Sequence, residues 1–252
     1  MIKAVIFDMY ETLITLFDSP LYFGTQMASD AGIAEERFQE TWRAEEKNRT
    51  TGKITLEELL EKILRENNCF SEEKMNYILK KRIWCKEEAF EHLHIEIIPM
   101  LRALKKEGIM IGLISNCFSE ESMVIKKSIL YPFFDAVCLS FDEGIQKPDP
   151  AIFERCIERL GVEADACLYV GDGGSSGSAS YDGLFLFHDQ NIINSRFSFF
   201  RITDILKVSR HSLLAVQIIR EQVHLLRIGS GQVHMFLRVD HLIIFIVFLE
   251  HI

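Results

Sequence analysis

The sequence predicts an α/β protein: a parallel sheet flanked by helices, with an all-helical block inserted after the first strand. Three observations point there. Short apolar runs alternate with helix-patterned segments from about residue 96 onward, which is the signature of a parallel sheet with helices on its faces. A helix-patterned stretch from about 20 to 92 separates the first two apolar runs and is too long for a single crossover. The residues that can carry chemistry fall just after the apolar runs, where open parallel sheets bind their ligands.

The elements follow in order. Lys3–Phe7 is an apolar run that fits a buried strand. In the helical block, Thr55 with Glu58 makes a capping box, Gly52 marks a turn, and Ser71 can cap the next helix. Ile98–Lys106 reads as a helix stopped by Gly108, and Ile109–Ser115 as a strand. Ser119–Leu130 reads as a helix, Ala136–Ser140 as a strand, Asp149–Leu160 as a helix and Cys167–Gly171 as a strand. This gives a discontinuous core, residues 1–15 and 96–176, around a helical block, 16–95.

Composition limits the functions. In 252 residues, 37 are acidic and 28 basic, a net charge of -9 that argues against nucleic-acid or anionic-membrane partners and for a small-molecule substrate. The N-terminus has no basic n-region or cleavage site, and the late apolar run Leu242–Leu249 is about half of a bilayer span. The six cysteines include no CxxC pair, so a reduced, cytoplasmic setting is expected rather than a disulfide frame. Oligomeric state is not legible in the sequence. The chain also changes character near Ser176. Thirteen of its fourteen lysines and all five prolines come before that point, and six of its eight histidines come after it. Those histidines lack metal-ligand spacing.

Four short motifs end the four strands. Asp8 lies in Phe7-Asp8-Met9-Tyr10-Glu11-Thr12-Leu13, and Ser115 with Asn116 ends the second strand. Lys147 follows the third, in Lys147-Pro148-Asp149-Pro150, and Asp172 ends the fourth, in Gly171-Asp172-Gly173-Gly174. Each alone is an ordinary turn or helix entrance. Together they bring two carboxylates, a hydroxyl and an ammonium to one sheet edge. A carboxylate can attack phosphorus or carbon, two carboxylates suit Mg²⁺, and the hydroxyl and ammonium can stabilise charge on a transferred group.

These four motifs, in this order over residues 1–176, resemble the haloacid dehalogenase (HAD) superfamily. The resemblance implies a Rossmann-like core with a helical cap. It implies that Asp8 is the nucleophile, that Ser115 binds the phosphoryl or leaving group, and that Lys147 neutralises charge at the nucleophile. It further implies that Asp8, the backbone carbonyl of Tyr10 and Asp172 hold Mg²⁺, with Asn116 and Gly173 lining the site. In the cap, Tyr22, Phe23, Trp42 and Arg43 are the residues to inspect for substrate choice. Arg43 could pair with a substrate carboxylate or phosphate, and Phe118 could line the entrance. Trp42 with Phe38 can equally be cap core.

Two positions depart from the pattern. The superfamily's phosphatases carry an Asp two residues after the nucleophile as general acid and base; here that residue is Tyr10, whose ordinary pKa near 10 makes it a poor base. Tyrosine there is similar to the 2-haloacid dehalogenases, which work without metal, whereas the Gly-Asp-Gly-Gly motif is similar to the metal-dependent phosphatases. Three readings stay open: an Mg²⁺-dependent phosphatase acting through an aspartyl-phosphate on Asp8, a dehalogenase-like hydrolase, and a catalytically weak relative. The second departure follows Ser176, where the acid usual in such motifs is missing. Ser175-Ser176-Gly177-Ser178-Ala179-Ser180-Tyr181-Asp182-Gly183-Leu184, shifted by one base, can read Ser-Ser-Glu-Ala-His-Leu-Met-Met-Gly-Cys. That restores an acid and a helix-like stretch, so residues 177–252 are expected to be out of frame with the family.

Overall fold

The computed structural model describes residues 2–171 and the backbone of three later strands, β5 (Gly183–Leu186), β6 (His234–Val239) and β7 (Leu242–Val247). The main sheet is formed by β1 (Ala4–Phe7), β2 (Met110–Ser115), β3 (Ala136–Leu139), β4 (Cys167–Gly171) and β5, in the order β3-β2-β1-β4-β5. The first four run parallel and β5 closes the edge antiparallel; β6 and β7 form a separate antiparallel pair. Register aligns the carboxyl ends of the three central strands, since Phe7 lies opposite both Leu113 and Val170. The segments that follow these three strands therefore begin at one edge of the sheet.

The sheet's two faces bury different side chains, as period-2 alternation requires. Val5 and Phe7 pack with Leu101, Leu104, Ile111, Leu113 and Ile125 on one side. Ala4 and Ile6 pack with Ile114, Ile152, Cys156 and Leu160 on the other. The covering helices are α6 (Ile97–Lys106) and α7 (Ser119–Lys127) on the first face and α9 (Pro150–Leu160) on the second. Asp149 caps α9 through Ala151 N–H at 3.0 Å, Pro150 fills its first position, and Gly161 ends it at φ 65°.

The block between β1 and β2 folds as α1 (Gly24–Ala31), α2 (Glu35–Ala44), α3 (Glu46–Thr50), α4 (Leu56–Glu66) and α5 (Glu72–Glu91). It has its own core, built on Tyr22, Met27, Phe38, Trp42, Leu59, Leu60, Ile63 and Ile78. Trp42 and Phe38 are thus core members, with rings 5.7 Å apart. The Thr55–Glu58 capping box forms in both directions, at 2.8 and 3.2 Å, and Ser71 accepts from Lys74 N–H. Two elements differ from the sequence reading. The helix expected to reach Leu130 ends at Lys127, because Ser128 turns extended and its hydroxyl binds the Ile125 carbonyl at 2.8 Å. The third strand stops at Leu139, and Ser140 begins a short helix, α8 (Ser140–Glu143).

The inserted block is seated on the core at several points. Leu56 N–H donates to Ser119 Oγ at 2.9 Å. At Gly52 (φ 71°) a Cβ would lie 2.2 Å from the Phe141 carbonyl oxygen, so only glycine allows this approach. No helix among the described residues is long and apolar enough to cross a membrane.

Candidate active site

Asp8 follows β1 and is 6% exposed. Its backbone N–H continues the sheet to the Val170 carbonyl, and its Oδ1 accepts from Met9 N–H at 2.7 Å. Its other oxygen meets Lys147 Nζ at 2.5 Å. Lys147 also donates to the Tyr169 hydroxyl at 3.0 Å. Burial alone would lower the Lys147 ammonium, but Asp8 and Tyr169 outweigh it and hold it above the ordinary lysine value. Asn116 fixes the Lys147 backbone from both sides: its Oδ1 accepts from Lys147 N–H at 2.8 Å and its Nδ2 donates to the Lys147 carbonyl at 3.0 Å. Both polar atoms of Asn116 are thereby engaged, so its role here is to position the lysine.

Six buried side-chain atoms among the described residues have no hydrogen-bond partner: Tyr10 OH, Thr12 Oγ1, Ser115 Oγ, Gln146 Oε1, and Nε and Nη1 of Arg49. Buried polar atoms are nearly always paired, so such a group needs an explanation. Tyr10 and Thr12 belong to the Asp8 loop, Ser115 ends β2, and Gln146 precedes Lys147. The unpaired atoms thus collect on the segments that carry the motifs, and this is what a ligand site built from polar atoms requires.

Tyr10 is fully neutral in this setting. Burial, together with the Glu121 carboxylate, raises its hydroxyl well above the ordinary tyrosine value. Glu11 cannot take over proton transfer. It sits at φ 55° with its carboxylate turned onto Leu16 N–H at 2.9 Å and Thr15 Oγ1 at 2.8 Å. Cys117, beside the site, is buried and held as the thiol, its pKa raised chiefly by burial.

A buried charge network joins the inserted helices to the core. Arg82 on α5 binds Glu120 at 3.0 Å and Glu121 at 3.2 Å, both at the start of α7, and donates to the Tyr22 carbonyl at 2.7 Å. Lys86, one turn further along α5, binds Glu121 at 2.7 Å and lies 5.1 Å from the Tyr10 ring centroid. Burial would raise Glu121, but Lys86 and Arg82 prevail and hold it below the ordinary glutamate value. The sequence reading took Glu120 and Glu121 only as helix residues. The available signal was the four-residue spacing of Arg82 and Lys86, which puts two cations on one helix face.

Arg43, expected at the site from the sequence, is exposed on α2. Arg49, six residues later, is the arginine that reaches the seam. It is 3% exposed and stacked between the rings of Trp42 (3.7 Å) and Phe118 (4.0 Å). Phe118 thus lies at the boundary between insert and core. Burial lowers the Arg49 guanidinium to about 10.

Asp172 and Gly173 lie outside the described residues, directly after β4. Among the described residues no three of His, Cys, Asp and Glu gather as a metal site. The Asp8 carboxylate and the Tyr10 carbonyl, which accepts none of the backbone hydrogen bonds found in the loop, are hard oxygen donors of the kind Mg²⁺ takes.

Residues 2–177 match the haloacid dehalogenase-like hydrolase family. The chain is 33% identical over 79 residues to a glyceraldehyde 3-phosphate phosphatase of Methanopyrus kandleri, covering 31% of this chain and 34% of that protein. It is 29% identical over 92 residues to N-acylneuraminate-9-phosphatase of Rattus norvegicus, covering 36% of this chain and 37% of that one. The chain thus spans about a third of the curated relatives it matches. A HAD family enzyme from Bacteroides thetaiotaomicron shares the fold at TM-score 0.52 and 18% identity, over 68% of this chain and 84% of that one. The match covers well over half of the sequence, and the chain belongs to the haloacid dehalogenase-like hydrolases.

Proposed function

We propose that the protein is a phosphatase that acts on a small phosphate ester, with Asp8 as nucleophile and Mg²⁺ as cofactor. The observation that supports it best is the buried Asp8–Lys147 pair, with unpartnered polar atoms of Tyr10, Thr12 and Gln146 on the segments that carry it. In this reading an Asp8 carboxylate oxygen attacks phosphorus, an Asp8–phosphoryl bond forms, and the ester oxygen departs. Water then cleaves the acyl phosphate and releases inorganic phosphate. Lys147 holds the carboxylate in place and balances its charge, and Ser115 Oγ donates to a phosphoryl oxygen. Mg²⁺, held by Asp8, the Tyr10 carbonyl and Asp172, would neutralise charge on the phosphoryl oxygens. With Tyr10 neutral and Glu11 turned away, the departing oxygen takes its proton from water. Esters with good leaving groups are therefore favoured. The glyceraldehyde 3-phosphate and N-acylneuraminate-9-phosphate named for the relatives are substrates of the size proposed.

One observation favours a second reading. The Tyr10 hydroxyl is buried, neutral and unpartnered next to the nucleophile, which suits attack of Asp8 on a carbon bearing a halide, without metal.

The test is a paired assay on the protein and Asp8→Asn. Phosphate release from an aryl phosphate is followed with and without Mg²⁺, and halide release from a 2-haloacid without metal. The expected result is phosphate release that needs Mg²⁺ and drops by at least about 10³-fold in Asp8→Asn. Halide release alone would overturn the phosphatase reading in favour of the second. Silence in both assays would favour a catalytically weak protein.

A further inference from the structure

We propose that Tyr169 is a positioning residue whose hydroxyl keeps the Lys147 ammonium beside Asp8 while Asp8 carries the phosphoryl group and has lost its charge; this rests on the phosphatase reading above. Lys147 Nζ donates to two acceptors among the described residues, Asp8 Oδ2 at 2.5 Å and the Tyr169 hydroxyl at 3.0 Å. All three side chains are buried. The two acceptors differ in kind. The carboxylate holds the ammonium and cancels its charge, whereas the neutral hydroxyl holds it and leaves the charge intact.

The fold gives that hydroxyl a fixed seat. Tyr169 lies on β4, and its ring meets Phe153 of α9 edge-on, at 5.3 Å and 78°. Residues 169 and 171 share one face of the strand. A Cβ at Gly171 would lie 2.9 Å from both Cε1 and the hydroxyl oxygen of Tyr169. The ring therefore lies along β4 over a residue with no side chain, and its hydroxyl reaches the carboxyl edge of the sheet.

The seat matters midway through the reaction. When an Asp8 oxygen bonds to phosphorus, the carboxylate becomes a neutral acyl group and Lys147 loses its ion-pair partner. A buried ammonium then depends on its remaining hydrogen bond. In the second step water attacks phosphorus, the bond from phosphorus to Asp8 breaks and its electron pair returns to the carboxylate, while a proton of the water passes to solvent. Negative charge reappears on Asp8, and an ammonium still in place stabilises it. In the first step the charged carboxylate holds Lys147 itself. Loss of the Tyr169 hydroxyl should therefore slow breakdown of the acyl phosphate more than its formation.

The experiment follows release of alcohol and of phosphate from an aryl phosphate with Mg²⁺, in wild type and Tyr169→Phe. The variant is expected to lose roughly 10-fold in kcat with KM falling alongside, so that kcat/KM holds within about twofold. Its aryl alcohol should appear in a burst of about one per active site before phosphate follows. A fall in kcat/KM as large as that in kcat, or no change in either, overturns the inference and leaves the phosphatase reading standing. Asp8→Asn supplies a readout without turnover, because its neutral amide stands in for the esterified carboxyl. In a crystal structure of that variant Lys147 Nζ should remain within about 3.2 Å of the Tyr169 hydroxyl. In Asp8→Asn combined with Tyr169→Phe it should have moved away. Lys147 leaving Tyr169 in the single variant, or staying in place in the double, overturns the inference. If wild type releases no phosphate, the phosphatase reading fails and these two structures decide. If Tyr169→Phe does not fold, the Asp8→Asn structure decides alone.

Discussion

Two residues after Asp8, the nucleophile we propose, a tyrosine stands where the phosphatase reading calls for proton transfer. The Tyr10 hydroxyl is buried and raised above its ordinary value, so it can donate a hydrogen bond but cannot act as a base near neutral pH. Replacing it with aspartate should restore a carboxylate shuttle. Tyr10→Asp is expected to raise kcat on alkyl phosphates by about 10²-fold while changing aryl phosphates much less, measured as the dependence of rate on leaving-group pKa. Tyr10→Phe should leave that dependence in place. Asp8 and Ser115 were legible because each sits at the end of an apolar strand, so local sequence fixes its position at the sheet edge; Lys147 was legible from its Lys-Pro-Asp-Pro motif, although α8 separates it from β3. Arg49 was not legible. α2 ends at Ala44 and α3 restarts at Glu46, so the helical phase breaks between Arg43 and Arg49. Periodicity cannot say which arginine faces the core once the phase is lost.

Among the elements, α5 and α7 hold the insert to the sheet through buried charges. Removing one partner of such a pair strands the others, whereas removing both is far milder. Arg82→Met is expected to cost about 3–5 kcal/mol in denaturant unfolding. Combining it with Glu120→Met should recover part of that loss, which a double-mutant cycle would show. The network also sets an acid limit. Glu121 is held below the ordinary glutamate value by Lys86 and Arg82, despite burial. Its contribution is therefore present above the unfolded value of about 4.3 and lost as pH falls through the lower folded value. Melting temperature should fall more steeply below pH 4 in wild type than in Glu121→Gln. The helices of the insert were readable from caps and apolar periodicity. Their docking was not, because it depends on Gly52 meeting the Phe141 carbonyl and on acids 38 and 39 residues from Arg82.

For the whole molecule, the family match ends at residue 177, beside the change of composition at Ser176. Through that point the parallel sheet and the helical insert followed from alternation and length alone, whereas the strand order did not. Beyond it the sequence offered apolar runs with poorly placed caps, and the expected shift of reading frame falls outside the described residues. Reading the nucleotide sequence across codons 174–180 checks it. An extra or missing base there is the expected result, and an intact frame shared by related genes would reject it.

Asp8 and Lys147, paired in the folded protein, lie 139 residues apart in the chain. During synthesis at roughly 5–20 residues per second, Asp8 emerges about 7–28 s before Lys147. In that interval the inserted helices can collapse on their own core, while Arg82 and Lys86 wait for the acids of α7. The buried Asp8–Lys147 pair therefore cannot form until the segment after β3 has emerged.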